Sequence, residues 1–493
     1  MTISGAATTP PREPVLPWVM VFLAVALLLH LVQGVPYDAD SAYHLAVARL
    51  LGEHGHLRAF PWTSHSWLAD HYADKELLFH LALVPVSGLP LGVAGKIAGT
   101  VFTAAVLTVI FLVLRREQVP QAGTWTLLLL AGSGTFMFRV ALLRPHVVAI
   151  ALAVLATWLA SRRRLVPLGV VCAVYAWSYV AWLMPVVLAA LTQLAELRGP
   201  RRPSWKVPAA ATAGLCLGVV LHPDFPANVM FTRVVLVDVL FRASWRAEGD
   251  IALGGEFDPL DPLEALLQLS LPAALLLLGA VTAWRHRAGE PLAMSFALPG
   301  AALLLLTLRT PRLAEYAVPF CMIAAALWCA RRWKPHVVPV LLAATVAVHG
   351  VAGDYPLARF AARTDIFPAP LARVLDKTVP RGARVFTCSW EFTGELLLAL
   401  PGREYMIALD PTLFWLRDHQ AYRAWRELVR APGLTPSTVV REAFHKDYVL
   451  CESTPNNAAF LRALGADPGA VPLVRSALWN AFALRAEPPA PTP

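Results

Sequence analysis

The chain has 493 residues, of which 57% are hydrophobic and only 15% charged, where soluble domains carry about a quarter charged residues. This excludes an ordinary soluble enzyme and implies a polytopic α-helical membrane protein, because runs of roughly 18 or more apolar residues can span a bilayer. The net charge of +9 does not imply nucleic acid: the basic residues cluster in short breaks between apolar runs, as membrane topology requires, and no nucleic-acid motif accompanies them.

The first apolar run, 17–34, has no small-residue cleavage site after it and reads as an uncleaved anchor rather than a signal peptide. It leads directly into VPYDADSAYHLAVARLL, residues 35–51. Asp38 and Asp40 there admit three readings. They can hold a divalent cation through hard oxygen ligands. One can act as a general base. Or Asp40 or Ser41 can cap the helical pattern that follows, which explains one carboxylate but leaves Asp38 over. The adjoining His44 is a substrate-binding candidate. LADHYADKELLFHLAL, 68–83, places His71, Asp74, Lys75 and Glu76 directly before an apolar helix at 76–88 of interfacial or re-entrant length. Asp74 could be an N-cap, a base or a metal ligand, and His71 a ligand or base. Lys75 could be a solvated lysine snorkelling to the headgroups, or could pair with a lipid phosphate.

Further spans are expected near 90–114, 123–140, 146–161, 165–180, 182–197, 207–222, 263–284, 293–308, 313–330 and 335–352, about eleven in all. The breaks Arg115-Arg116, Arg162-Arg163-Arg164, RGPRRPSWK (198–206), Arg285-His286-Arg287 and Arg331-Arg332-Trp333-Lys334 then all fall on the cytoplasmic side if the N-terminus is inside. Reading 165–197 as one broken span would destroy that agreement. The other side receives the loops at 35–89 and 223–262 and everything after about 353, with most of the acidic residues and histidines.

Beyond 353 the character changes. ARVFTCSW (383–390), REYMIAL (403–409) and KDYVLCES (446–453) read as strands, with helical patterns between them and a last strand, SALWNAFALR, at an edge. Alternating strands and helices predict a small, mainly parallel α/β domain over 353–486. The tail EPPAPTP at 487–493 reads as disordered. No Gly-rich phosphate loop follows a strand, so nucleotide binding is not supported. The cysteines form no CxxC pair. Cys388 and Cys451 both end predicted strands, and either a disulfide or two buried thiols fits. No internal repeat is visible.

Other charged residues lie at the external ends of spans. FRVALLRPHVV offers Arg139, Arg144 and His146, two arginines and a histidine where positive-inside bias disfavours them. They are either anchors or phosphate ligands. LHPDFPANVMFTR brings His222 and Asp224 into a proline-fixed turn. LRTPRLAEYAVPF holds Arg309, Arg312, Glu315 and Tyr316. Arg312 and Glu315, at i, i+3, could simply pair, but ionisable groups near the membrane are functional candidates by default. The 242–264 loop is an ordinary exposed loop or a substrate lid.

One span, an external acidic loop, an amphipathic helix and the sequence Tyr72-Ala73-Asp74-Lys75-Glu76-Leu77-Leu78 together resemble the GT-C superfamily of membrane glycosyltransferases. The bacterial motif Tyr-x-x-Lys-Pro-Pro-Leu is matched without its double proline, and the resemblance covers the layout of about the first 200 residues. It implies a multi-pass enzyme of a bacterial-type inner membrane that takes a sugar from a polyprenyl-phosphate-linked donor to a glycan, lipid or protein acceptor outside. It maps the catalytic acid of the first external loop onto Asp38 or Asp40, as base or as ligand of Mg²⁺ or Mn²⁺. His44, His71, Asp74, Lys75, Arg144, His146, Arg309, Arg312, Glu315 and Tyr316 would line the substrate site. Two rival readings stand beside it. A transporter would place ionisable groups mid-span and show repeats. A non-catalytic envelope-assembly factor could keep a transferase fold.

Overall fold

The computed structural model describes residues 13–32, 38–197, 201–246, 251, 253, 258–286, 290–352 and 367–485. The tail at 487–493 and most of the 242–264 loop's centre lie outside them. The chain divides into two compact units. The first comprises 1–33, 96–221 and 254–362; the second comprises 34–95, 222–253 and 363–493.

The first unit is helical. Its helices follow the apolar runs closely, with Val15–Leu31, His146–Ser161, Leu165–Ser178, Leu183–Glu196, Lys206–Leu221, Pro262–Arg285, Pro291–Thr307, Ala314–Cys329 and Val337–Ala352 among them. The expected span at 123–140 is two helices, Ala122–Ala131 and Gly134–Val140. They break at Gly132 and Ser133, whose hydroxyl caps the second helix by accepting from the Phe136 amide. The 165–197 stretch is likewise two helices, separated by an extended Tyr179. By length and composition alone, Leu91–Arg116, Pro262–Arg285 and Pro311–Cys329 are long and apolar enough to cross a membrane, and the other apolar helices are shorter.

Ala314–Cys329 is buried along its whole length, as a helix apolar on every face must be. It packs on Pro291–Thr307 and Pro262–Arg285. Leu165–Ser178 and Lys206–Leu221 meet backbone to backbone: a Cβ on Gly214 would lie 2.1 Å from the Gly169 carbonyl oxygen. Gly214 and Gly218 form a G-x-x-x-G pair, the small-residue spacing that lets membrane helices approach closely.

The second unit is built on a four-stranded sheet: β1 Val385–Thr387, β2 Tyr448–Glu452, β3 Ala470–Arg475 and β4 Trp479–Leu484. Its order is β1-β2-β4-β3. β1 and β2 are parallel, and the other two pairs are antiparallel. The sheet is therefore mixed rather than mainly parallel. β4 lies inside it, because β3 and β4 form a hairpin whose turn is fastened by Ser476 Oγ accepting from the Leu478 and Trp479 amides. The expected strand at 403–409 makes only an isolated bridge to β1's approach, Arg384↔Glu404, and another to the N-terminal loop, Thr63↔Tyr405. Cys388 and Cys451, with Cα atoms 5.3 Å apart, are joined in a disulfide between β1's end and β2.

Alternation along the strands sends residues into two cores. Phe386, Val449, Cys451, Phe482 and Leu484 pack with Tyr422, Trp425, Val440, Phe444 and Phe460 of the C-terminal helices. Val385, Leu450, Trp479 and Ala481 face the other way and pack with Tyr43, Val47, Leu50, Phe60 and Tyr72 of the N-terminal loop. That loop contributes the helices Ala39–His54 and Leu77–Leu83. The helix Thr393–Ala399 crosses Ala39–His54 so closely that a Cβ on Gly394 would lie 2.3 Å from the Tyr43 amide nitrogen. Arg49 ties the contact by donating to the carbonyls of Ser87 (2.9 Å) and Leu398 (3.1 Å).

Candidate functional site

Buried polar groups gather in each unit. In the second unit the helix Ala39–His54 begins at Asp38, whose carboxylate accepts from the Ser41 amide (3.2 Å) and from the Ser41 hydroxyl. Asp38 is thus the N-cap, the role assigned by sequence to Asp40 or Ser41. Asp40 lies within the helix's first turn, half-buried, and presents its side chain on the same helix face as His44, four residues on.

His44 is 4% exposed, and its Nδ1 lies 2.9 Å from Nε2 of His80. His80 in turn places Nδ1 2.7 Å from the Asp74 carboxylate. Asp74 also accepts from the Glu76 amide at 3.1 Å, while its own amide donates to Asp224 at 2.9 Å. The second Asp224 oxygen takes His56 Nε2 at 2.7 Å, and the Asp224 amide donates to His222 Nδ1. The proline turn, which holds a cis Phe225–Pro226 bond, therefore serves to orient Asp74. Burial alone would raise the Asp74 pKa. The His80 beside it, with the hydrogen bonds it receives, outweighs burial and holds Asp74 below the ordinary carboxylate range. The Tyr43 phenol, pushed well above its ordinary value by burial first, is raised further by Asp74, Glu76 and Asp40, so these three carboxylates share one neighbourhood.

Lys75 is not a solvated, snorkelling side chain. It is 7% exposed, pairs with Glu76 at 2.7 Å and lies 5.1 Å from the centre of the Phe231 ring. His71 is exposed and stacks on Trp67, with ring centroids 4.7 Å apart. Among the described residues, the group placed to hold a metal ion is His44, Glu76 and His80, whose donor atoms lie within 4.8 Å of one another. It does not contain Asp38 or Asp40.

In the first unit, helix ends bring together Arg139, His146, Tyr179, Arg312 and Glu315. Glu315 is 1% exposed and opens the buried helix Ala314–Cys329. It accepts from Arg139 Nε (3.1 Å) and a terminal Arg139 nitrogen (2.8 Å), two donors of one guanidinium. His146 Nε2 donates to the Arg139 carbonyl at 2.8 Å. Tyr179 donates to Glu315 at 3.5 Å and accepts from Arg312 at 3.4 Å. Glu315 thus takes Arg139, 176 residues away in sequence, as a partner. Arg144 and Arg312 lie within electrostatic reach of His146. Tyr316 is buried and bonds Tyr175 at 3.1 Å, and Arg309 is exposed. Arg139, Arg144 and Arg312 thus act on one histidine, and Arg139 also pairs with the buried Glu315.

His80 was not legible as a site residue. A weak signal existed in its spacing: Glu76 and His80 are four apart, which places both on one helical face. Tyr179 gave no signal within its apolar run.

No protein-family model matches the chain, and no curated protein matches its sequence. Solved structures match in fold. ArnT from Cupriavidus metallidurans matches with a TM-score of 0.60 over 95% of this chain and 98% of its own, at 14% identity. The oligosaccharyltransferase AglB from Archaeoglobus fulgidus, in complex with an inhibitory peptide and a dolichol-phosphate, matches with a TM-score of 0.60 over 96% and 75%, at 11% identity. The arabinofuranosyltransferase AftD from Mycobacteria matches with a TM-score of 0.56 and 16% identity over 96% of this chain, which spans 40% of the AftD length. At these identities the likeness shows the fold, and it is the multi-pass fold that the resemblance to the GT-C superfamily implied.

Proposed function

We propose that the chain is a membrane glycosyltransferase that moves a sugar from a polyprenyl-phosphate-linked donor to an acceptor outside the cytoplasm. The observation that carries this reading is the fold match over nearly the full length of both this chain and ArnT. The dolichol-phosphate bound to AglB supports a polyprenyl phosphate as the donor's carrier. In the reaction, the acceptor hydroxyl forms a new bond to the anomeric carbon as the carbon–oxygen bond to phosphate breaks, with inversion. Asp40 takes the hydroxyl proton, since Asp38 is spent on its helix cap. In the first unit, Arg144, Arg309 and Arg312 carry the sign of charge that a departing phosphate needs. Positioning and charge do most of the work, because phosphate leaves readily once its charge is met.

A Mg²⁺ or Mn²⁺ ion held by Asp38 and Asp40 fits this geometry poorly. Both Asp38 oxygens already receive Ser41's donors, and no step is routed through such an ion. The proposed topology has about eleven spans, the N-terminus cytoplasmic and the second unit outside, and the Cys388–Cys451 disulfide supports the last point.

The test is transfer from a synthetic polyprenyl-phosphate sugar by the purified chain in detergent. Asp40→Asn should lower the rate at least about 100-fold without lowering the melting temperature. Asp38→Asn, which keeps an N-cap, should stay far closer to the parent. Unchanged transfer in Asp40→Asn overturns the assignment of the base. The absence of any transfer, with no polyprenyl phosphate among co-purified lipids, overturns the enzyme and favours the assembly factor.

A further inference from the structure

We propose that His44, Glu76 and His80 form a binding site for a borderline transition-metal ion, Zn²⁺ foremost, with Asp74 as the outer carboxylate that orients His80. The inference stands apart from the glycosyltransferase reading and moves the metal from the hard Asp38–Asp40 pair to a nitrogen-rich set.

The donor set is the first argument. Two imidazoles and one carboxylate suit zinc and its neighbours, while magnesium prefers oxygen ligands and retained waters. The second is geometry. In a tetrahedral site with metal–nitrogen bonds of 2.0–2.1 Å, two nitrogens lie roughly 3.3 Å apart. His44 Nδ1 and His80 Nε2 stand 2.9 Å apart, so a few tenths of an ångström of ring movement admits an ion between them.

The third argument is the second layer. His80 turns its other nitrogen, Nδ1, to Asp74 at 2.7 Å, the carboxylate–histidine–metal arrangement that fixes the tautomer and raises ligand basicity. Asp74 is itself held by its amide bond to Asp224. A helix-cap role explains neither this layer nor the burial of both histidines, at 4% and 1% exposure. The fourth is charge. Two buried carboxylates, Asp74 and Glu76, face one buried lysine, Lys75. Carboxylates outnumber the lysine there, an arrangement that favours a cation. Glu76 engages Lys75 through Oε2, and its Oε1 can serve the ion.

The competing reading is a metal-free chain of hydrogen bonds, Asp74–His80–His44. Metal analysis by mass spectrometry on the purified full chain, followed by Zn²⁺ titration of chelator-stripped protein in a calorimeter, separates the two. About one equivalent of Zn²⁺ should bind, and Mg²⁺ should not compete. His44→Gln, Glu76→Gln and His80→Gln should each abolish stoichiometric binding. Asp74→Asn should weaken it about 10- to 100-fold, and the exposed His71→Ala should leave it unchanged. Zinc-edge X-ray absorption on the parent protein should show two imidazoles and no sulfur, a readout that survives if a variant fails to fold. No stoichiometric Zn²⁺ in the parent overturns the proposal, as does binding retained in both histidine variants, or an absorption spectrum without imidazole.

Discussion

At the scale of single residues, His65 gives the clearest pH dependence. It lies between Phe414 and Phe444, and Ser64 Oγ meets its ring nitrogen at 3.1 Å. Burial, then the charges of Lys446 and Arg417, lower its pKa from 6.5 to about 4. The unfolded chain therefore binds a proton that the folded one refuses as pH falls from about 6.5 to about 4. Stability from this group is complete above pH 6.5 and is lost as pH falls towards 4, by an amount of order 3 kcal/mol. Melting followed at pH 7, 6 and 5 should show this loss, and His65→Phe should flatten it; an unchanged slope in that variant excludes His65 as the source.

The same scale shows what single residues betray. Asp40, Asp74, Arg144, His146, Arg312 and Glu315 could be singled out because charge beside an apolar run is costly and so conspicuous. Their partners could not. Glu315 chooses Arg139 over its local neighbour through a helix packing that no short window contains, and His80 matters only because His44 lies against it, 36 residues away in sequence.

At the scale of elements, the apolar runs predicted helices well, since period and hydropathy act within one segment. The sheet was harder to read. β4 has an interior place because β3, a stretch with a proline, folds back on it as a hairpin, and REYMIAL is divided between β1's approach and the N-terminal loop. The disulfide decides how firmly β1 and β2 stay paired. It closes a loop of 63 residues, for which loop-closure entropy predicts about 4 kcal/mol of stabilisation. Reduction, or Cys388→Ser with Cys451→Ser, should lower the melting temperature of this unit by roughly 10 °C. A shift below about 2 °C would mean that the helices covering the sheet hold it without the crosslink.

At the scale of the whole molecule, the segment after residue 363 is not an appended domain. One face of its sheet is covered by Tyr43, Val47, Leu50 and Phe60 from the loop after the first helix. A chain truncated after residue 352 should therefore keep its apolar helices but leave residues 39–95 without their core. Limited proteolysis should cut that loop in the truncated protein and spare it in the full chain. Equal resistance in both would show that the loop folds by itself.

The Arg49–Leu398 contact sets a schedule as well as a structure. Its partners lie 349 residues apart, and a ribosome adding 5–20 residues per second needs roughly 20–70 s to make the second after the first. For that interval the apolar side of Ala39–His54 has no sheet to lie against. The cell must shelter it, on the bilayer surface or on a chaperone, so the earliest-made part of the second unit is among the last to reach its final place.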